Sequence, residues 1–228
     1  MQYPSSWLQG ASLGEKIASE LRLKIVSGTI KPPTVLSENQ IATEFSTSRS
    51  PVREAFKTLA SEGLIRLERM GAVVLGLTQK DIEEIHDVRL LIESFILERL
   101  TNIQHETIVS ELNKIIDKME IADKHSDYVE FAYQDLRFHE IMILEANHAR
   151  ILHFWNNIRN IVLTAMLVAT EKRFLEEKHE VKQLIENHRL IVKAFVAKDI
   201  NFIKQVLQGH FEDTRNTVKN TFVNHCEQ

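Results

Sequence analysis

Cysteine, proline and glycine are all scarce in this chain of 228 residues. Its one cysteine, Cys226, has no partner within the chain, which excludes an intrachain disulfide and a zinc site built from several cysteines. No proline follows Pro51, and a single glycine, Gly209, follows Gly76. Because these two residue types interrupt helices most strongly, we expect the chain after Gly76 to be almost entirely helical.

Long apolar runs are missing as well. The longest, from Ile161 to Thr170, is much too short to span a bilayer as a helix. The opening residues, MQYPSSWLQG, lack the basic region and apolar core of a secretory signal peptide. Together with the shortage of cysteine, these absences predict a cytoplasmic protein without a membrane segment.

Charge and histidine divide the chain into two parts. The formal net charge is -4, which by itself argues against nucleic-acid binding. Residues 1–77, however, carry nine Lys or Arg and seven Asp or Glu, whereas residues 78–228 carry nineteen and twenty-five. All ten histidines lie in the second part. We therefore predict two domains, 1–77 and 78–228, with different chemistry.

The first domain shows the start signals of three helices. Apolar residues at helical spacing predict a first helix from Leu13 to Ser27. Ser37, followed three residues later by Gln40, has the pattern of a capping box that starts a second helix. Ser50 as N-cap, with Pro51 at the first helical position, predicts the start of a third.

The residues after the third helix have the composition of strands. LIRLE at 64–68 and AVVL at 72–75 predict a β-hairpin whose turn is formed by Arg69, Met70 and Gly71. Two helices joined by a short turn and followed by such a hairpin make a winged helix-turn-helix. This arrangement places the last of the helices in the major groove of DNA.

Basic and hydroxyl side chains gather on the predicted third helix. Ser48, Arg49 and Ser50 lie at its N-terminal end, the end that approaches base edges in helix-turn-helix proteins. Arginine can donate two hydrogen bonds to guanine, and serine can bond to bases or phosphate. Arg49, Arg53 and Lys57 recur every four residues and so share one face. Such a face is often merely solvated, so the pattern alone leaves DNA binding and a solvent-exposed surface as alternatives.

The second domain reads as helix throughout. Helices are predicted at 78–100, 105–124, 127–146, 149–170, 171–197 and 199–222. Helices of this number and length, joined by short connections, pack as an antiparallel bundle. The predicted fold is therefore mainly α, with an N-terminal winged helix-turn-helix followed by an all-α bundle.

Four potential metal ligands are expected to meet inside this bundle. Asp135 and His139 are four residues apart and share a face of one helix. His188 and His210 are equally far from the turn expected near Lys198, so an antiparallel pair of helices brings them level. One carboxylate and three imidazoles suit a divalent transition metal: Zn, Ni, Fe or Mn. The alternatives are structural histidines, or a metal-dependent enzyme that uses the same four residues.

Arg89 is a candidate for binding an anion. It lies within HDVRLLIE beside apolar residues, where a guanidinium requires a carboxylate partner. That partner is either internal, Glu93 or Asp87 on the same helix, or an acidic ligand.

The run LSENQIATEFSTSRSPVREAFKTLASEGLIRLERMGAVV resembles the DNA-binding domain of the GntR family of bacterial regulators. The all-helical remainder resembles the FCD effector domain of the FadR-type branch of that family. The resemblance implies that the DNA contacts are made by residues already singled out, namely Ser48, Arg49, Ser50 and Arg53. It also implies that Gly71 is the glycine of the wing tip. Asn39 departs from the family, which often has arginine at that position.

The resemblance also implies ligands for the second domain. Asp-x-x-x-His with two later histidines is the metal signature of many FCD domains, and all four positions match: Asp135, His139, His188 and His210. The implied protein is a homodimeric repressor on a palindromic operator, released when a small carboxylate, gluconate, meets the metal and Arg89. A different carboxylate or a fatty acyl-CoA is the alternative effector, and the metal signature argues against acyl-CoA.

Overall fold

The computed structural model describes residues 3–69, 71–102 and 106–223, with side chains throughout except at 214 and 216–223. Met70 in the predicted hairpin turn, His105 at a predicted helix start, and Cys226 lie outside the described residues. The chain divides into two compact units, Met1–Thr78 and Gln79–Gln228.

The first unit is a winged helix-turn-helix. After a short 3-10 helix at Ser5–Leu8, its elements are α1 (Leu13–Val26), β1 (Val35–Ser37), α2 (Glu38–Glu44), α3 (Arg49–Ser61), β2 (Ile65–Glu68) and β3 (Gly71–Val74). The antiparallel sheet has the strand order β1-β3-β2. The hairpin predicted from the sequence is therefore present, and the short strand β1 joins its β3 edge. Three residues are too few to show a strand period, so the sequence did not indicate β1.

One predicted helix start was correct in position and the other was wrong by two residues. Ser37 is the N-cap of α2, as predicted, but it makes no side-chain capping bond to the described residues, and it is also the last residue of β1, paired with Gly71. Helix α3 has Ser48 rather than Ser50 as its N-cap. Pro51 is consequently the third helical residue, which is still within the first turn, where a missing N–H breaks no helical hydrogen bond.

Helices α1 and α3 pack against each other to form the core of the first unit. Ile17, Leu21 and Phe56 are buried between them. Arg22 is also buried, and its guanidinium donates to both carboxylate oxygens of Glu62, at 2.7 Å from Nε and 2.6 Å from Nη2. This two-bond geometry matches the two donors to the two acceptors, so the buried charge is compensated. The Arg22–Glu62 ion pair joins α1 to the end of α3. It thereby holds α3 in place, while the opposite face of α3 stays exposed.

The second unit is an all-α bundle. Its described helices are α4 (Gln79–Leu100), α5 (Glu106–His125), α6 (Tyr128–Glu145), α7 (Ala149–Glu176), α8 (Lys178–Ala197) and α9 (Ile200–Val223). The break predicted at Thr170 was wrong, because α7 continues to Glu176 and buries Arg173 and Phe174 on the way. Within the described part of the chain, no helix is both long and apolar enough to cross a bilayer.

Gly71 is required by the pairing of β1 with β3. It is buried, has a φ of 156°, and a Cβ atom added there would lie 2.2 Å from the carbonyl oxygen of Leu36. That oxygen belongs to the backbone and cannot rotate away. The resemblance implies that this glycine lies at the wing tip, and in the structure it opens β3 directly after the hairpin turn, paired with Glu68 of β2.

Replacing Gly71 with alanine should therefore destabilise the first unit by about 2–4 kcal/mol, because β1 and β3 would have to separate. Thermal unfolding of the full chain measures this loss. Gly209→Ala is the matched control, since that glycine lies in a helix with open space around it and should be neutral or slightly stabilising. Equal unfolding temperatures for Gly71→Ala and the wild type would contradict the strand pairing.

Candidate functional site

The four predicted metal-ligating residues meet in the interior of the second unit. Asp135 and His139 come from α6, His188 from α8 and His210 from α9. All four are buried, with at most 5 % exposure. His139 Nε2 lies 3.2 Å from His210 Nε2 and 3.4 Å from Asp135 Oδ1. The same Asp135 oxygen lies 2.9 Å from His188 Nε2. The antiparallel folding of α8 against α9 is what brings the two later histidines level.

These separations fit a single divalent ion. Protein ligands lie about 2.0–2.2 Å from zinc, so ligand atoms that share one ion are separated by about 3–3.5 Å. The three imidazoles offer ligand atoms that all lie within 4.8 Å of one another, and Asp135 adds an oxygen beside them. The donor set therefore has the spacing, the chemistry and the burial of a transition-metal site.

Hydrogen bonds at the Nδ1 atoms of His188 and His139 orient these two imidazoles so that their Nε2 atoms point toward the cluster. His188 Nδ1 lies 2.7 Å from the carbonyl oxygen of Leu184 in the preceding turn of α8. His139 Nδ1 lies 2.5 Å from Glu93 Oε2, on α4. A carbonyl or carboxylate on the outer nitrogen is the usual way of orienting a metal-binding histidine. Sequence reasoning missed this role of Glu93, because its partner His139 is 46 residues away in the chain.

Charge interactions set the protonation of the cluster. Burial disfavours the ionised form of Asp135, but hydrogen bonds with His139 and His188 outweigh it and hold the pKa of that carboxyl well below its usual range. Burial, reinforced by the neighbouring His188 and His139, holds the pKa of His210 well below its ordinary value. Burial also opposes protonation of His139, yet the charge of Glu93 and the hydrogen bond with Asp135 raise its pKa. Asp135 is thus a carboxylate and His210 a neutral imidazole near pH 7, the forms that bind metal.

Arg89 has both an internal partner and a remaining donor. Its Nε donates to Glu93 Oε1 at 3.2 Å, which is the internal ion pair that the sequence allowed. Its Nη2, however, is buried without a hydrogen-bond partner among the described residues. The guanidinium carbon lies 4.8 Å from the centre of the Phe211 ring, whose neighbour in α9 is His210. Asp87, the other internal candidate, pairs instead with Arg215 at 2.5 Å.

A pocket opens beside Arg89 and Asp135. Its wall on α7 is mostly apolar, whereas its wall on α4 carries polar side chains. The lining residues from these two helices include Ile82, His86, Arg89, Val162, Met166 and Arg173. The pocket therefore combines apolar surface with cationic groups and adjoins a cluster residue, as expected of a site for a small anion.

The predicted DNA-reading residues of the first unit share an exposed surface. Ser48, Arg49 and Ser50 are all exposed at the start of α3. Together with Asn39 of α2, Ser48 and Arg49 line a shallow groove. Arg53 is exposed one turn further along and donates from Nε to Glu38 Oε2 at 2.9 Å. The start of α3 thus presents hydroxyl groups, a guanidinium and free backbone N–H groups to solvent.

Comparison with known proteins explains the combination of the two units. The model of the bacterial regulatory proteins of the gntR family matches residues 13–75, and the FCD domain model matches residues 84–213. This chain belongs to the GntR family of bacterial regulatory proteins. Relatives of this GntR-family regulator are transcriptional regulators rather than enzymes, so the metal-dependent enzyme considered from the sequence is set aside.

Two relatives of this GntR-family regulator are similar over almost its whole length. The gluconate operon transcriptional repressor of Bacillus subtilis (strain 168) is 46% identical over 221 residues, covering 97% of this chain and 91% of the relative. That of Bacillus licheniformis is 44% identical with the same coverage. Among solved structures, E. coli McbR/YncC has a TM-score of 0.71 at 18% identity, covering 93% of this chain and 99% of its own. This last likeness shows the shared fold.

We expect one transition-metal ion per chain in this GntR-family regulator, bound at the four-residue cluster. The double variant His188→Ala/His210→Ala should lose the ion, because two of the four ligands are removed. Elemental analysis of protein purified without an affinity tag measures the content. The matched control is His153→Ala/His179→Ala, two exposed histidines of the same unit. Full occupancy in the first double variant would show that the ligands lie elsewhere.

Proposed function

We propose that this regulator is a cytoplasmic, homodimeric repressor of a gluconate utilisation operon, released from a palindromic operator when gluconate binds the second unit. The close relationship to two gluconate operon repressors supports the choice of operon and effector. The observation that carries the sensing role is the buried Nη2 of Arg89, a cationic donor without a partner among the described residues, beside a pocket. A small carboxylate supplies the acceptor that this donor lacks.

The exposed start of α3 supports the DNA-binding role. Arg49 lies at the N-terminal end of the helix, from which a guanidinium can reach a guanine edge. Ser48 and Ser50 flank it and suit phosphate or base contacts. Arg53 is held toward α2 by Glu38, a position that suits a phosphate contact once the exposed ion pair opens. Gly71 contributes by fixing the sheet that carries the wing.

The outer face of α4 supports a dimer. Val88, Leu91 and Phe95 follow one another at spacings of three and four residues and so share a face. They are 41%, 72% and 48% exposed, although large apolar side chains in a row normally seek cover. A second copy of the chain covers such a stripe with its own, and a two-fold dimer matches the two half-sites of a palindrome.

The neighbouring cluster supports a hydroxylated acid as effector. A bound divalent ion would supply Lewis acidity for the carboxylate and 2-hydroxyl oxygens of a sugar acid. Arg89 balances the negative charge, and the apolar wall on α7 excludes water. Helix α4, which carries Arg89, is separated from strand β3 by only four residues, so we expect a displacement of α4 to be transmitted to the wing. Half-sites tolerate little error in spacing, and a small displacement therefore weakens operator binding.

Operator binding should depend on Arg49 and Arg53 in different ways. Arg49→Ala should cost about 1–3 kcal/mol of binding free energy and relax base preference, whereas Arg53→Ala should weaken binding to all sequences and reduce its salt dependence. Titration of an operator and of a scrambled duplex at several salt concentrations separates the two effects. Lys80→Ala, an exposed cation outside the helix-turn-helix, is the control. Unaltered operator affinity in both arginine variants would contradict the assignment of α3.

Gluconate should weaken operator binding by the wild type. Release of Arg89→Ala from the operator should require a gluconate concentration at least tenfold higher, because this variant lacks one charged hydrogen bond to gluconate. The measurement is an operator titration with and without gluconate. Arg99→Ala, an exposed arginine on the same helix, should respond like the wild type. If another carboxylate or an acyl-CoA releases the wild type and gluconate does not, the repressor remains but gluconate is the wrong effector.

A further inference from the structure

His86 lies in the pocket beside Arg89 and has no part in the four-residue cluster. It is three residues before Arg89 on α4, so the two side chains point to the same side of the helix. His86 is only 5% exposed, and its Nδ1 is buried without a hydrogen-bond partner among the described residues. Its ring contacts Phe211 edge-on, with 6.1 Å between ring centres.

Two residues of one pocket wall therefore each carry a buried polar atom that lacks a partner within the described part of the chain. Arg89 Nη2 is the first and His86 Nδ1 is the second. Leaving a buried polar atom unpaired is costly, and most buried polar atoms in proteins are paired with protein, water or ligand. Two such atoms on adjacent turns of one helix indicate a ligand with two polar groups close together.

The two atoms call for different ligand groups. Burial, followed by the charges of Arg89 and Arg215, lowers the pKa of His86 to about 3, in spite of the opposing charge of Glu93. His86 is thus a neutral imidazole at physiological pH, whose Nδ1 either donates or accepts according to its tautomer. A hydroxyl group also both donates and accepts, so it pairs with either tautomer. The guanidinium of Arg89 only donates, and its natural partner is a carboxylate.

We propose that His86 is a specificity-determining residue that hydrogen-bonds a hydroxyl of the effector while Arg89 binds its carboxylate. The pocket accordingly selects hydroxycarboxylates over unhydroxylated acids of the same length. This inference rests on the proposed function in taking the effector to be a small acid bound beside Arg89. It adds the chemical feature by which that acid is recognised.

The test compares gluconate with hexanoate, a six-carbon acid without hydroxyl groups, by calorimetric titration of the full chain as purified. The wild type should bind gluconate at least tenfold more tightly than hexanoate. His86→Phe keeps a ring against Phe211 but removes the hydrogen bond, and it should bind gluconate about tenfold more weakly while its affinity for hexanoate stays the same. His86→Asn places a polar atom near the position of Nδ1 and should restore part of the affinity. His179→Phe, at an exposed histidine, is the control.

Unchanged gluconate affinity in His86→Phe, with affinity lost in Arg89→Ala, would overturn the role of His86 and leave the proposed function standing. Equal affinity of the wild type for gluconate and hexanoate would also overturn the role of His86 without contradicting the proposed function. If the wild type binds neither acid, the proposed function fails and this inference fails with it. Unchanged hexanoate affinity shows that the pocket of His86→Phe is folded, and His86→Asn provides a second, smaller change.

Discussion

Charged groups buried at the centre of the helical unit constrain everything around them. Asp135 and Glu93 are both almost inaccessible, and an ionised carboxylate in such a place is tolerated only when its hydrogen bonds are satisfied. The partners come from four different helices: Arg89 on α4, His139 on α6, His188 on α8 and, through His139, His210 on α9. The packing of these helices is therefore fixed by polar geometry as well as by apolar contact.

The middle turns of helix α4 depart from the usual distribution of residues in a soluble helix. Between the buried apolar residues Ile82 and Ile96, the inward face carries His86, Arg89 and Glu93, whereas the outward face carries the stripe of Val88, Leu91 and Phe95. In a monomeric protein the polar residues of such a helix would normally face the solvent and the apolar ones the core. Both departures have a single explanation if the inner face serves a polar site and the outer face is covered by a second chain. One helix then joins sensing and assembly.

Local rules allowed much of this architecture to be predicted from the sequence. The helix-turn-helix followed from helix start signals and its hairpin from the strand composition of residues 64–68 and 72–75, whereas the convergence of Asp135 with His139 followed from helical spacing. Symmetry about the turn at Lys198 also placed His188 beside His210. These predictions depended on residues close in sequence, or on one antiparallel turn.

What the sequence did not reveal depends on contacts between distant segments. Glu93 supports His139 from another helix, and its role is visible only once α4 packs against α6. His86 was one of several histidines without a pattern, and only the cavity beside it distinguishes it from the exposed ones. Strand β1 exists because β3 offers it an edge, and α7 passes its predicted end because the packing there buries Arg173.

The two oxygens of Glu93 have different neighbours, since one accepts from Arg89 in the pocket wall and the other contacts His139 in the cluster. A single negative charge is thereby shared between the pocket wall and the imidazole cluster. Any group that draws Arg89 away from Glu93 leaves more of that charge to His139 and makes its imidazole a stronger electron donor. If the cluster binds an ion and the pocket binds an acid, as proposed, the two affinities are linked through this one carboxylate, and such linkage has the same magnitude in both directions.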